Sequence, residues 1–367
     1  MQINNKITTF QLYFFIIQTQ IGVGILGLPY LVHSEAKGNA WISVFLASVV
    51  VQGLIILFWF LLKRFPQKTI YQFSQTLAGR PIGVLINLSY VLYGILVTAL
   101  ILMIATSVIE VWVLPNTPRW IIIVLISAVS LCLVRGSLND IANFDVLVSV
   151  LVLLLIGITI YALFSYPVDI RYLLPLNQTS IGMILKGTKE AYFSMLGFEL
   201  LLILFPFIQS KKSTSILKTA TLANVTVTTI YIFLTVACLL VFSPAELKVV
   251  PQPVLYLVKA LYLKILERVD LVFVSLWVVS VITSYVSYLY LAVEGITSTF
   301  KNMNRSYVIF GFAFVSVLTA LIPQKEKDME WFNKAATTGS LVLVIIIPIV
   351  LLLLSIILKK NERRERI

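Results

Sequence analysis

Ten long apolar runs, spread along the whole chain, are the feature that most constrains how this sequence folds. A helix needs about 20 apolar residues to cross a bilayer, and most of the runs reach that length. They cover approximately residues 10–33, 40–62, 82–109, 120–134, 144–165, 184–208, 217–242, 270–299, 306–322 and 337–358. Only 12% of the residues are charged, against roughly 25% in soluble domains. The sequence therefore predicts one all-α integral membrane domain over residues 1–367.

Basic residues cluster at the ends of particular spans, and these clusters predict the orientation in the membrane. They lie within residues 63–80, 211–218 and 359–367. Placing the N-terminus in the cytoplasm puts all three clusters on the cytoplasmic side, as the positive-inside rule requires. We expect both termini inside, with residues 359–367 as a basic cytoplasmic tail. The net charge of +12 then reflects contact with anionic lipid rather than nucleic acid.

Two of the ten spans are interrupted at corresponding places in the two halves of the chain. Span one contains the glycine-rich stretch Gly22–Gly27 followed by Pro29, and span six contains Gly197. Paired interruptions of this kind are typical of inverted-repeat transporter folds. Because each half holds five spans, the second half must be inverted relative to the first. We predict two five-helix repeats, residues 10–165 and 184–358, with helices one and six broken.

The stretch Gly22–Gly27 also matches the dinucleotide-binding pattern G-x-G-x-x-G. That pattern is informative only after a strand, ahead of a helix, and with an acidic residue about 20 positions later. Here the glycines fall inside a membrane span, and the residues around position 42 include no carboxylate. Backbone that unwinds in a membrane must face protein or a wet cavity. The glycines therefore indicate a ligand site or, alternatively, close helix packing.

The two interruptions supply the first candidate site residues. An unwound helix presents N–H groups and a positive dipole end to an anion such as an amino-acid carboxylate, and its carbonyls suit an ammonium group. The residues selected at the two breaks are Gly22, Val23, Gly24, Ser194, Leu196 and Gly197. Glu199 is the acidic residue that we place deep inside a well-delimited span. It can face a cation, carry a proton, or cap freed backbone N–H groups.

Spans three and eight flank the broken pair in this architecture, and both carry polar faces. In span eight, Ser280, Thr283, Ser284 and Ser287 recur at helical spacing, with Tyr288 one turn beyond Ser284. Such hydroxyls can line a cavity or bond to neighbouring helices. In span three, Tyr90, Tyr93 and Val97 share one face. Thr283, Ser284, Tyr288 and Tyr93 therefore join the candidate ligand site.

The chain resembles the B subunit of the Ger-type spore germinant receptors, a branch of the amino acid–polyamine–organocation transporter superfamily. The resemblance rests on GVGILGLP (22–29), Trp41, SMLGFELLLILFPF (194–207), ERVDLVFVSLW (267–277) and the basic tail. It implies a LeuT-like five-plus-five inverted repeat in the inner membrane of a dormant spore. It also implies assembly with an A subunit and a lipoprotein C subunit, and binding of a small nutrient germinant, often an L-amino acid.

The resemblance also implies which residues line the pocket. By position, the family's pocket residues map onto Gly22, Gly24, Tyr93, Val97, Leu196, Ser284 and Tyr288. Three positions depart from relatives. Tyr30 stands where relatives often carry a basic residue, and Gln252 stands where a tryptophan is common, so contacts that gate the cavity differ. Ser284 stands where a threonine can occur, which affects the choice of ligand.

Two functions fit these features. In the first, the protein is a receptor subunit in which ligand binding shifts the conformational population and signals to partner subunits. In the second, it is an amino-acid permease with alternating access. Proton-coupled carriers of the superfamily often have a basic residue in span five, and residues 143–164 contain none, which favours the sensor. A scaffold subunit with a vestigial cavity is a third alternative.

The inventory of reactive residues argues against an enzyme. The chain has one histidine, His33, and two cysteines, Cys132 and Cys238, both inside apolar runs. These residues fit neither a metal site nor a disulfide framework. We find no paired acid and base and no activated nucleophile in a plausible pocket. We therefore expect no catalysis, no cofactor and no metal.

Overall fold

The computed structural model describes residues 6–22, 24–173, 179–210, 212–259, 261, 268–300, 302–323 and 326–362. Within these ranges the chain is almost entirely helical. The strands found there are two residues each, β1 (Ile7–Thr8) and β2 (Ile208–Gln209), and they pair in parallel. This pairing joins the start of span one to the end of span six. We call the end of the bundle that carries it the strand end.

The first half of the described chain forms the five predicted spans. Its helices are α1 (Thr9–Ile21), α2 (Gly24–Ala36), α3 (Ala40–Leu62), α4 (Ile70–Ala78), α5 (Arg80–Trp112), α6 (Arg119–Val134) and α7 (Leu138–Ser165). The halves of span one are α1 and α2. A 3-10 turn at Lys37–Asn39 leads into α3, and another lies at Ile170–Leu173. The short helix α4, which lies outside the ten predicted spans, packs against α5.

The second half repeats this plan with a second broken span. Its helices are α8 (Ile181–Ser194), α9 (Leu201–Leu204), α10 (Ser213–Val241), α11 (Pro253–Lys259), α12 (Val269–Thr299), α13 (Arg305–Leu321), α14 (Glu326–Ser340) and α15 (Ile347–Ile357). Turns of 3-10 helix occur at Phe198–Leu200, Phe205–Phe207 and Glu246–Lys248. A π-helical segment, Leu341–Ile346, joins α14 to α15. Span six comprises α8 and Phe198–Phe207, which meet at an angle of 54°.

The predicted all-α membrane fold with about ten spans is confirmed. Six of the described helical stretches are long and apolar enough to cross a membrane, and the bent pair in span six makes a seventh. One of the six stretches, Gly24–Leu62, combines the second half of span one with span two. Spans four and nine correspond to the shorter apolar helices α6 and α13. The division into repeats at 10–165 and 184–358 stays a prediction.

Glycine produces the break in span six and lets the two broken spans touch. Gly197 has φ of +128°, a backbone conformation that residues with a Cβ atom rarely adopt. A Cβ built there would lie 2.9 Å from Cγ2 of Thr19 and 3.0 Å from the backbone nitrogen of Gln20. In span one, α1 ends at Ile21 and α2 begins at Gly24. The two interruptions therefore lie against each other at the centre of the bundle.

Candidate functional site

The break in span one is held by side chains from other helices. The carbonyl of Gly22 accepts a hydrogen bond from Nε1 of Trp277 at 2.8 Å. A Cβ on Gly22 would collide with Oγ of Ser284, and a Cβ on Gly24 would lie 2.8 Å from the carbonyl oxygen of Ser194. Gly22 therefore allows α12 to approach span one, and Gly24 allows α8 to do so.

The carbonyl groups left without helical partners at the end of α1 are bonded to hydroxyl groups. Oγ of Ser284 lies 3.0 Å from the carbonyl oxygen of Gln18 and 3.1 Å from that of Thr19. The hydroxyl of Tyr231 donates to the carbonyl of Gln20 at 2.6 Å. A carbonyl oxygen has two lone pairs, so each can still accept from a ligand. Capping of this kind keeps the broken end of α1 stable inside the bundle.

At the break in span six, Glu199 is bonded on both sides. Its Oε2 accepts the backbone N–H of Gly197 at 2.7 Å, and its Oε1 accepts the hydroxyl of Tyr288 at 2.6 Å. The side chain is 1% exposed. Of the three roles considered for this carboxylate, capping a freed N–H group is therefore the one that these contacts fit.

A cavity of about 400 Å³ lies where the two breaks meet. Half of the predicted site residues line it: Gly24, Val97, Ser194, Leu196, Ser284 and Tyr288. Five others are not among the lining residues: Gly22, Tyr93, Gly197, Glu199 and Thr283. Val23 lies outside the described residues. The structure thus brings residues from spans one, three, six and eight to one cavity, although their role in ligand binding stays a prediction.

The residues behind the wall support those that line the cavity. The ring of Tyr93 packs edge-on against that of Tyr288, with 6.3 Å between centroids. Its buried hydroxyl has no hydrogen-bond partner among the described residues. Thr283 donates to the carbonyl of Ser280 at 2.6 Å and lies 3.4 Å from Oε1 of Gln18. These contacts fix the faces of α5 and α12 that border the cavity.

Several lining residues were missed by the sequence interpretation. They include Glu190, Trp277, Asn333 and Thr337, whereas Tyr30 and Gln252, which the sequence analysis named as gating positions, also line the cavity. Glu190 is the one charged residue among the described residues of the wall, and it lies one turn before Ser194 on α8. Oγ of Ser194 lies 3.3 Å from its carbonyl oxygen. This i, i+4 relation to a predicted site residue was the signal that could have found it.

The remaining wall is mostly apolar. Its aliphatic and aromatic members include Leu26, Leu31, Leu100, Ile101, Ile104, Val108 and Phe193. One carboxylate, several hydroxyls and an apolar surface are typical of a site for a small organic molecule. Gln252 also lines the cavity, and its Oε1 accepts a hydrogen bond from Nε1 of Trp112 at 3.1 Å.

A multi-pass helical bundle with two broken helices around a central cavity defines a transporter-like membrane protein. A family model described as "Spore germination protein" matches residues 6–329, and the chain belongs to this family. It is 30% identical to spore germination protein GerQB of Bacillus cereus over 75% of each chain. It is 26% identical to spore germination protein YndE of Bacillus subtilis (strain 168) over 89% of each chain.

Two solved structures share the architecture of this chain. MhsT in complex with L-phenylalanine aligns over 93% of this chain and 87% of its own, with a TM-score of 0.68 and 18% identity. A Na⁺-coupled sialic acid symporter in a substrate-bound outward-open state aligns over 93% of this chain and 80% of its own, with a TM-score of 0.66 and 12% identity. At such low identity the likeness shows the fold, and it confirms the predicted LeuT-like inverted repeat.

Proposed function

We propose that this protein is the nutrient-sensing subunit of a spore germination receptor. In this proposal a small germinant such as an L-amino acid binds in the central cavity and triggers germination. Membership of the germination protein family supports the biological role. The observation that carries the binding role is the cavity of about 400 Å³ at the junction of the two broken spans.

The wall of the cavity matches the parts of an apolar L-amino acid. Helix α2 begins at Gly24, and its N-terminus offers backbone N–H groups and a positive dipole end to a carboxylate. Glu190 and the hydroxyl of Ser194 suit an ammonium group. Val97 and Phe193 belong to the apolar surface that would receive the side chain. The ligand would thus bridge the two halves of the bundle.

A ligand that contacts both broken spans can change the conformation of the protein. A ligand shifts a conformational equilibrium only if it binds one state better than the other. A molecule held between span one and span six favours the state in which the two breaks are close. Partner A and C subunits in the spore inner membrane would read that state. The proposal also places both termini in the cytoplasm and assigns no covalent chemistry to the protein.

The alternative function is an active amino-acid permease with alternating access. The observation that favours it is the fold itself, since one of the two solved neighbours described above is a Na⁺-coupled symporter. The two functions differ in stoichiometry: a receptor site saturates at the amount of protein, whereas a carrier accumulates substrate inside a sealed compartment.

The test uses sealed vesicles that carry the protein and labelled L-amino acids. Counts that survive lysis and saturate at the level of protein indicate a receptor site. Counts that exceed the protein many-fold and vanish on lysis indicate transport and would replace the sensor proposal. Val97→Phe should abolish the signal in either case, because the larger side chain enters the cavity. Leu92→Phe is the matched control on the same helix, since Leu92 is 67% exposed on its outer face.

A further inference from the structure

An aliphatic groove lies between α4, α5 and α15 and shares no lining residue with the central cavity. Its volume is about 340 Å³. Four residues at helical spacing form its side on α15: Ile347, Val350, Leu351 and Leu354. Ile82 and Ile86 form its side on α5, and Leu77 and Ala78 of α4 also line it. None of these side chains can form a hydrogen bond, so the groove suits a hydrocarbon chain.

The floor of this groove is buried, whereas its rim is exposed. Leu77 and Leu351 are buried, but Ile82 and Val350 are 57% and 46% exposed. Helices α5 and α15 belong to stretches that are long and apolar enough to cross a membrane. An exposed apolar rim on membrane-spanning helices faces lipid. The groove therefore opens toward the acyl chains of the bilayer.

Two basic residues stand at one end of the groove. Arg80 is the first residue of α5, two positions before Ile82, and it is exposed. Nζ of Lys360 donates to the carbonyl of Thr76 at 2.8 Å, and Thr76 directly precedes Leu77 in the groove wall. Both basic residues belong to clusters that the positive-inside rule assigns to the cytoplasmic side. They therefore mark the level at which the lipid headgroups are expected.

The segment after α15 is fixed by hydrogen bonds on both sides of Lys360. Nη2 of Arg64 donates to the carbonyl of Ser355 at 2.7 Å, and the backbone N–H of Glu362 donates to the carbonyl of Arg64 at 3.0 Å. Between these bonds, Lys359 has φ of +51°, which ends the helix and turns the chain. The fold itself therefore brings the ammonium group of Lys360 to α4.

Positive charge dominates the chain segments at this end of the groove. Residues 63–80 and 358–362 contain six basic residues and one acidic residue, Glu362. Oε2 of Glu362 accepts the backbone N–H of Gln67 at 2.9 Å, so this carboxylate is engaged with the loop between α3 and α4. A surplus of basic residues at the membrane surface attracts anionic headgroups.

We propose that the groove binds one anionic phospholipid, with an acyl chain between α5 and α15 and the phosphate beside Arg80 and Lys360. The order of the parts along the groove matches their order in a phospholipid. The positive charges lie at the predicted membrane surface, and the aliphatic walls follow toward the interior of the bilayer. Basic pockets between membrane helices on the cytoplasmic side are typical of sites for anionic headgroups.

The dimensions of the groove favour a lipid over a helix of a partner subunit. A transmembrane helix packs against its neighbour along a crossing of about 30 Å. The side of the groove on α15 runs from Ile347 to Leu354, which is about 10 Å along a helix. An acyl chain needs only such a narrow, short channel, and the positive end of the groove matches the phosphate that follows it.

The test measures lipid binding to the full-length protein, purified in detergent and stripped of lipid, by native mass spectrometry. Phosphatidylglycerol, phosphatidylcholine with the same acyl chains, and glycerol 3-phosphate are titrated separately. Each basic residue near an anionic headgroup contributes roughly a factor of five in affinity. Phosphatidylglycerol should therefore bind to one site roughly tenfold or more tightly than phosphatidylcholine, and glycerol 3-phosphate, which has no acyl chain, should not bind.

A pair of charge variants assigns the headgroup contact. The double variant Arg80→Gln/Lys360→Gln should bind phosphatidylglycerol roughly 10- to 30-fold more weakly and phosphatidylcholine as before. The matched control is Lys212→Gln/Lys218→Gln. It removes the same charge from exposed residues of another basic cluster that is predicted to be cytoplasmic, and neither lysine lines the groove. This control should keep the affinity of the wild type.

A second pair of variants assigns the acyl chain. Val350→Phe places a ring at the rim of the groove and should weaken the binding of both phospholipids. Leu353→Phe is the control on the same helix, because Leu353 is exposed and does not line the groove. It should bind both lipids as the wild type does.

Three results would overturn the proposal. The first is a wild type that binds phosphatidylglycerol no more tightly than phosphatidylcholine, which would favour a partner helix as the occupant of the groove. The second is a double charge variant with the affinity of the wild type. The third is glycerol 3-phosphate that binds as tightly as phosphatidylglycerol. Each of these results leaves the germinant-binding proposal intact, because the groove and the central cavity have no lining residue in common.

Discussion

Glu199 and Asp145 are both carboxylates buried in the bundle, but their surroundings are opposite. Glu199 accepts hydrogen bonds on both oxygens, whereas Asp145 has no such partner among the described residues. The difference follows from the backbone beside each residue. Glu199 lies next to a broken helix, where the N–H of Gly197 is free. Asp145 lies in a continuous helix, where backbone N–H groups already bond to carbonyls one turn earlier.

This comparison shows that burial alone does not mark a binding site. A carboxylate at a helix break can accept hydrogen bonds from the backbone N–H groups that the break leaves free, and so cap the helix end. One inside an intact helix finds no backbone donor, so its charge must be removed or matched by something from outside. The satisfied carboxylate therefore contributes to stability, whereas the unsatisfied one makes no hydrogen bond that would offset the cost of its burial.

The largest expected effect separates the two carboxylates by stability. Glu199→Ala leaves the N–H of Gly197 and the hydroxyl of Tyr288 buried without a partner, and should lower the free energy of unfolding by roughly 3 kcal/mol. Asp145→Ala removes no hydrogen bond made by the side chain, and should change the free energy of unfolding by less than about 1 kcal/mol. Denaturant unfolding in detergent measures both. Equal losses would contradict the conclusion that Glu199 makes stabilising hydrogen bonds and Asp145 makes none.

A smaller loss of unfolding free energy is expected when the backbone conformation of the break in span six is changed at Gly197. Gly197→Ala places a Cβ at positive φ and 2.9 Å from Thr19, and should cost about 2 kcal/mol or more in unfolding free energy. The matched control is Gly157→Ala in α7, where a Cβ meets nothing within 4 Å. In the helix interior this change should be neutral or stabilising by up to about 1 kcal/mol. A neutral result at Gly197 would contradict the role assigned to its backbone conformation.

The breaks could be predicted from sequence because their signals are local. Gly197 and the glycines of span one interrupt apolar runs, and Glu199 lies two positions past Gly197, so the same local signal includes it. Val97 came from the family resemblance, since its chemistry gave no reason to choose it. Burial and hydrogen bonds then separated residues that line the cavity from those that lie behind it.

Functional residues away from the two breaks were missed because their position depends on which face of their helix packs toward the cavity or the core. Asn333 and Thr337 lie on α14, which the structure begins at Glu326, whereas the predicted span ten begins only at residue 337 and leaves Asn333 outside it. Asp145 begins an apolar run at residue 144, so it resembles a polar residue at a membrane surface. Only the packing of α1 and α12 against α7 buries it. The β1–β2 pairing likewise joins segments about 200 positions apart, beyond any local pattern.

The smallest expected effect removes one of the two bonds to Glu199. Tyr288→Phe keeps the ring in the cavity wall but deletes the hydroxyl that donates to Oε1, and should lower the unfolding free energy by about 1 kcal/mol. Tyr307→Phe, at a residue that is 78% exposed, should change nothing. Because Gly197 still donates to Oε2, the loss should be well below that of Glu199→Ala. A loss as large as that of Glu199→Ala would mean that Tyr288 alone holds the carboxylate, and that the break in span six contributes little to its stability.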